Sequence, residues 1–509
     1  MKLPNWFALE KRPDNDTKAN GAPDIPKIYP EGALQVLKGV KVKGDSEFEL
    51  DLEALSSILL RDSIRDKPVV VVSIAGDFRK GKSFMLNFFL RYLQSGCGTT
   101  DDWIGSTDEL KGFSWRNGSV RDTTGILMWS EPFVIKLDEG QEVAILLMDT
   151  QGAFDLKQTV KQLTTVFALS TMISSIQVFN LMHQLQEDDL HVLQYFAEYG
   201  QLALKHTTGK PFQKLLFLIR DWRCPYEYGY GLDGGQQYLD NCLATSEDQE
   251  IQGVRRHIRS CFGDIGCYLM PYPGDTVATT QHFDGRVADI DSKFVDSLKT
   301  FVPLMLDPEN VVVKEIGGRR VTGKEMMTYF EMYFNNLKAE KMPKIGTLFA
   351  ATAEANNLNA VTTARDKYKA GMDAFCGAKQ QFIAHGKFEE QHKILRQQSL
   401  DCFDNTLKMG GPELAARYRK DLTSDLDELY DHYTTKNKAN EPFFGIFSKR
   451  YAKWADMFVN GGGIRDATAL QKAINIRTVM ADLGAQAIRL DPIVETLLAT
   501  EQPDVVVLD

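Results

Sequence analysis

Seven cysteines, at positions 97, 224, 242, 261, 267, 376 and 402, include no C-x-x-C pair. That scatter supports neither a zinc site nor a disulfide framework and predicts reduced thiols. Long apolar runs are also lacking. A membrane-crossing helix needs about 20 predominantly apolar residues. The best stretch, 163–182, has no formal charge but carries Thr164, Thr165, Ser170, Thr171, Ser174, Ser175, Gln177 and Asn180, so it predicts a helix buried in a domain. The N-terminus has no charged start leading into an apolar stretch, hence no visible signal peptide. Excess positive charge is missing too: 59 Lys plus Arg face 69 Asp plus Glu, a net charge of -10. This balance argues against holding nucleic acid by counterion release. The expectation is a soluble chain with no nucleic-acid partner.

What remains is ordinary globular composition, 43% hydrophobic and 25% charged over 509 residues, enough for about two to four domains. Residues 1–44 are expected to be a flexible leader, with Pro13, Pro23, Pro26 and Pro30 among polar residues. Alternation beginning near Ala33 nevertheless has the period of half-buried strands. The β-branched run VVVVSI (69–74) suits the middle of a parallel sheet. Similar runs are VAILLM (143–148), LLFLI (215–219), a short CYLM (267–270) and a weaker SIQVF (175–179). With helical stretches between them, they predict an α/β domain with a mostly parallel sheet over 45–318. A helix and linker are expected over 319–345, and three helical stretches (about 346–376, 386–408 and 411–437) form an all-α three-helix bundle over 346–438. Residues 439–509 read as a helical tail.

GDFRKGKS (76–83) matches G-x-x-x-x-G-K-[ST] in full, after a buried strand and before an expected helix over 84–93. Glycines let the backbone fold so that its N–H groups face phosphates. Lys82 then reaches the β- and γ-phosphates, Ser83 offers a hydroxyl to Mg²⁺, and the helix N-terminus adds a favourable dipole. Asp149, at the end of an apolar strand and leading into Gln151 and Gly152, stands where a ligand of the Mg²⁺ and its water belongs, with Gly152 giving backbone access to a γ-phosphate. The polar stretch RDTTG (121–125) offers Thr123 or Thr124 as a mobile switch closing on Mg²⁺. No [NT]-K-x-D follows any strand. Arg220 and Asp221 stand at the end of LLFLI instead, where a carboxylate could pair with the N1–H and amino group of guanine.

These stretches, VVSIAGDFRKGKSFMLNFFLRYL (71–93), GFSWRNGSVRDTTGILMWSEPF (112–133), LLMDTQGAFD (146–155), FLIRDWRCPYEYGYG (217–231) and ATAEANNLNAV (351–361), closely resemble atlastins. Atlastins are dynamin-superfamily GTPases related to guanylate-binding proteins, and the likeness covers about residues 40–440. The resemblance implies a P-loop GTPase turning GTP into GDP and phosphate with Mg²⁺ held by Ser83, Thr123 and Asp149. It implies nucleotide contacts from Gly76, Arg79, Lys80, Gly81, Lys82, Ser83, Phe84, Gln151, Gly152, Arg220, Asp221 and Val277. Arg79 would be the arginine supplied in cis, acting with Lys82, Ser83 and Thr123. It also implies GTP-dependent homodimerisation through the GTPase and helical domains, a hinge near MPK (342–344), and homotypic fusion of endoplasmic reticulum tubules from the cytosolic face.

Three features depart from that pattern. Asp77 replaces a small residue, Thr280 stands where asparagine is common, and the paired membrane segments expected near residue 445 have no counterpart here. FFGIFSKRYAKWADMF (443–458) instead carries aromatics on one helix face with basic residues largely away from it, suited to packing on the bundle or to a membrane contact. The alternative readings are a cytoplasmic, guanylate-binding-protein-like scaffold and a dead-end regulator of anchored relatives, neither with fusion activity.

Overall fold

The computed structural model describes residues 29–440, except for 43–44, 77–79, 99–102, 106–108, 116–124, 139, 151–159, 188, most of 191–208, 245–254, 257, 281–282, 340–344 and 378–381. The described chain divides into two compact units, residues 1–359 with 407–415, and residues 360–406 with 416–509.

Among the described residues, the first unit is built on a nine-stranded sheet. Five parallel strands lie in the order β6 (Glu142–Thr150), β3 (Val69–Gly76), β7 (Ile176–Met182), β8 (Phe212–Arg220) and β9 (Phe262–Leu269). Antiparallel β4 (Ile126–Trp129), β1 (Ala33–Val42) and β2 (Asp45–Leu50) extend the β6 edge, and β5 (Phe133–Lys136) also pairs with β6. Every residue of β3 is buried, as expected of a parallel strand covered on both faces. Alternation sorts its side chains. Val69, Val71 and Ala75 join one core with Ala144, Leu146 and Met148, while Val70, Val72 and Ile74 join the other with Val143, Ile145 and Leu147. Helices α3 (Val160–Ile173) and α7 (Gly323–Ala339) cover the first face; α2 (Lys82–Gln94) and α6 (Ser292–Leu306) cover the second. The expected α/β fold with its mostly parallel sheet is present.

Several expected boundaries move. Strand β1 is hydrogen-bonded into the sheet, so a leader running to residue 44 is too long, and the alternation from Ala33 belongs to this strand. Residues 163–182 are not one helix: α3 ends at Ile173 and buried strand β7 begins at Ile176. The short run at 267–270 ends an eight-residue strand, Phe262–Leu269. The break between units falls inside α8 (Ile345–Cys376), rather than at 318 or 345. Leu348, Ala351, Ala353 and Ala355 share the core of Met326, Tyr329, Phe330 and Tyr333 on α7, which binds the first turns of α8 to the first unit.

In the second unit, the later turns of α8 pack with α9 (His385–Asn405) and α10 (Pro412–Ala439) around Tyr368, Met372, Phe388, Phe403, Leu422 and Leu426. His392 stacks on Tyr430 with ring centroids 3.9 Å apart, and the Tyr368 hydroxyl meets its Nδ1 at 2.8 Å. No helix among the described residues is long and apolar enough to cross a membrane. The hinge at 342–344, the aromatic stretch 443–458 and Asp77 lie outside the described residues.

Candidate functional site

Ligands of open parallel sheets sit beyond the carboxyl ends of the strands, where the chain switches direction across the sheet. Here β3 lies between β6 and β7, and the chain crosses it to pass from one to the other. Alternation then decides which side chains face α2. On β6, Leu147 joins the α2-side core, so Asp149 two residues on faces the same way. Val178 does the same for Asn180, and Leu218 for Arg220. Asp149, Asn180 and Arg220 thus lie on the α2 side near the carboxyl ends of β6, β7 and β8, the first separated from the other two by β3, and all three are buried.

The phosphate loop joins β3 to α2 above them. A Cβ at Gly76 would stand 2.1 Å from the Asn180 carbonyl oxygen, which leaves room for glycine alone. Gly81 takes a left-handed φ of 74° and caps α2. The helix therefore starts at Lys82, two residues before the expected position, placing Lys82 and Ser83 in its first turn. The Ser83 hydroxyl donates to Asp149 Oδ2 at 2.6 Å. A hydroxyl beside a carboxylate is a hard oxygen pair that fits Mg²⁺, which otherwise takes water and phosphate oxygens. Lys82 is buried and Phe84 packs in the α2 core.

Asn180 was not among the expected site residues, yet its Nδ2 donates to the Lys80 carbonyl at 3.0 Å. Its only trace in the sequence is a polar residue near the end of an apolar strand. Arg220 Nη1 donates to the same carbonyl at 3.4 Å and lies beside Gly81. Its guanidinium also sits 5.3 Å from the centre of the Phe294 ring, within cation–π range. Burial pulls the Arg220 pKa down, opposed by the charge of Asp221. Arg220 thus braces the phosphate loop from below.

Asp221 emerges past the strand end with a left-handed φ of 56°. Its carboxylate makes no hydrogen bond or ion pair among the described residues. Val277, on the short helix Asp275–Thr279, is buried in the α2-side core. Tyr272 donates to Asp275 Oδ1 at 3.0 Å, and its pKa is raised by burial, by that bond, and by the charges of Asp275 and Asp221. Arg79, Thr123, Thr124, Gln151 and Gly152 lie outside the described residues. Among those described, no cluster of three or more His, Cys, Asp or Glu side chains forms a metal site.

The N-terminal domain family of guanylate-binding proteins matches residues 45–315. Atlastin-1 of Macaca fascicularis is 49% identical over 415 residues, 81% of this chain and 74% of the relative. Atlastin-2 of Homo sapiens is 49% identical over 403 residues, 79% of this chain and 69% of its own length. The chain belongs to the atlastin family. It is a GTPase of atlastin type, binding GTP and GDP. Atlastin-2 of Xenopus laevis, a further relative, is 48% identical over 403 residues, 79% of this chain and 70% of its own length.

Proposed function

We propose that this chain couples GTP hydrolysis to self-association and to fusion of endoplasmic reticulum membranes, with the nucleotide held over the strand-end cluster under the phosphate loop. The observation that carries the reading is the Ser83–Asp149 pair beneath a complete phosphate loop, in a chain about half identical to atlastins. In this reading Lys82 and the α2 N-terminus bind the β- and γ-phosphates, and Gly76, Lys80, Gly81 and Phe84 shape the loop around them. Ser83, Asp149 and Thr123 would hold Mg²⁺, which would supply positive charge to offset that of the phosphates. Arg79 stabilises charge developing on the transferring phosphate, since a planar guanidinium there needs no separate activating protein. Gln151 and Gly152 line the γ-phosphate, and Asp221 accepts from the guanine N1–H and amino group beside Val277. Arg220 acts one step back, holding the loop.

Two copies meet through their GTPase and helical regions when GTP is bound, drawing together the membranes they occupy. The test uses the full chain. Light scattering with a non-hydrolysable GTP analogue is expected to give twice the mass found with GDP, and GTP is expected to drive lipid mixing between two populations of vesicles bearing it. A single mass under both nucleotides would contradict the coupling. Doubling of mass without lipid mixing would favour a scaffold that assembles without fusing membranes.

A further inference from the structure

Among the described residues only three non-glycine residues adopt a left-handed φ: Cys97, His183 and Asp221. Two of them lie side by side. Strand β7 ends at Met182, which pairs with Arg220 at the end of parallel β8, so His183 and Asp221 are the next residues of adjacent strands. Their φ angles are 66° and 56°. Paired left-handed residues at matching positions on two neighbouring strands mark an over-determined piece of backbone, and such conformations concentrate at functional sites. Asp and His are among the non-glycine residues that tolerate it best.

Each side of Asp221 is tied. The His183 backbone N–H donates to the Arg220 carbonyl at 2.8 Å, and the Trp222 N–H donates to the Met270 carbonyl at 3.0 Å. The remaining tie is a side chain: His183 Nδ1 lies 3.3 Å from the Asp221 carbonyl oxygen. A carbonyl only accepts, so Nδ1 carries the proton. These three restraints act on the backbone at or beside Asp221, and none of them uses its carboxylate.

We propose that His183 is a positioning residue for base recognition, holding Asp221 in its left-handed conformation so that the carboxylate meets guanine. The proposal rests on the reading of Asp221 as the base-reading group. A carboxylate that pairs with both N1–H and the 2-amino group distinguishes GTP from ITP, which lacks that amino group. Losing the His183 hydrogen bond should blur the distinction without touching the phosphate end.

The experiment measures steady-state GTP and ITP hydrolysis by the full chain and by His183→Ala, His183→Asn and Asp221→Ala. His183→Ala is expected to raise KM for GTP roughly three- to tenfold, the worth of one hydrogen bond, and to lower kcat by less. The GTP-to-ITP ratio of kcat/KM should shrink with it. His183→Asn should restore both, because a carboxamide donates to a carbonyl and asparagine tolerates the left-handed region. If Asp221→Ala destroys the preference and His183→Ala leaves it intact, the positioning role is overturned while base reading by Asp221 stands. A preference unchanged in Asp221→Ala overturns both. An asparagine variant as defective as the alanine one would also overturn the role, because the hydrogen bond would not be what matters.

Discussion

Two buried cations sit at opposite ends of the central sheet, and their surroundings differ. Arg220 closes β8 at the carboxyl end, 4% exposed; it touches the Lys80 carbonyl, Gly81 and the face of Phe294. Lys314 lies at the amino end, 1% exposed, where its backbone N–H meets the Val69 carbonyl at the start of β3. Its ammonium donates to the Ser174 carbonyl at 2.9 Å, near the C-terminus of α3, an orientation the helix dipole favours. Burial lowers its pKa to about 7. Both cations are desolvated, but only Arg220 stands at the edge where strands, loop and helix N-terminus converge. Burial of charge alone therefore does not single out the proposed nucleotide site; position on the sheet separates the two cations.

The largest effect expected is at the nucleotide end. Arg79→Ala should lower kcat for GTP on the order of a thousandfold while changing GTP affinity far less, as single-turnover kinetics and nucleotide titration would show. Comparable losses in rate and affinity would remove its role in the transition state. Lys82→Ala should weaken GTP binding by roughly a hundredfold by removing a charge-assisted contact with phosphate. Fluorescent nucleotide titration checks this, and unchanged affinity would sink the phosphate-loop assignment. Arg220→Met keeps volume and packing against Phe294 but removes the guanidinium under the loop, so about a tenfold loss of affinity in the same titration is expected from one charge-assisted hydrogen bond.

The far end should respond in stability instead. A lysine that is ordinarily protonated to about pH 10.4 but titrates near 7 when folded binds fewer protons folded than unfolded between those values. Its contribution to stability therefore rises as pH climbs from about 7 towards 10, and levels off below 7. Lys314→Met should remove that slope. Melting curves at pH 7 and pH 9 are expected to show the native chain gaining a few degrees relative to the variant; parallel behaviour would mean Lys314 keeps its ordinary proton affinity in the fold.

Much of this arrangement is legible in the sequence alone. The β-branched run at 69–74, the complete GDFRKGKS loop and the strand-end Asp149 announce the phosphate end, because local composition and spacing carry the signal. Arg220 and Asp221 are readable as a pair, but the division of labour between them is not. That depends on alternation along β8, which sends Arg220 under α2, and on the turn that releases Asp221. Asn180 and His183 escape for a related reason. Their importance comes from the parallel neighbours across the sheet, Gly76 and Arg220, and register between distant strands leaves little trace in the local sequence. The shared core of α7 with the first turns of α8 is likewise a tertiary fact, so a boundary inside a continuous helix has no compositional mark.

In the proposed reading, the nucleotide chemistry of this chain belongs to the carboxyl end of its sheet. Phosphate release from GTP by the full chain, Lys82→Ala and Lys314→Met, measured side by side with ATP as the competing substrate, tests it most directly. Turnover of GTP over ATP by the native chain, lost in Lys82→Ala and kept in Lys314→Met, is the result expected. Equal losses in the two variants, or GTP turnover that survives Lys82→Ala, would contradict it.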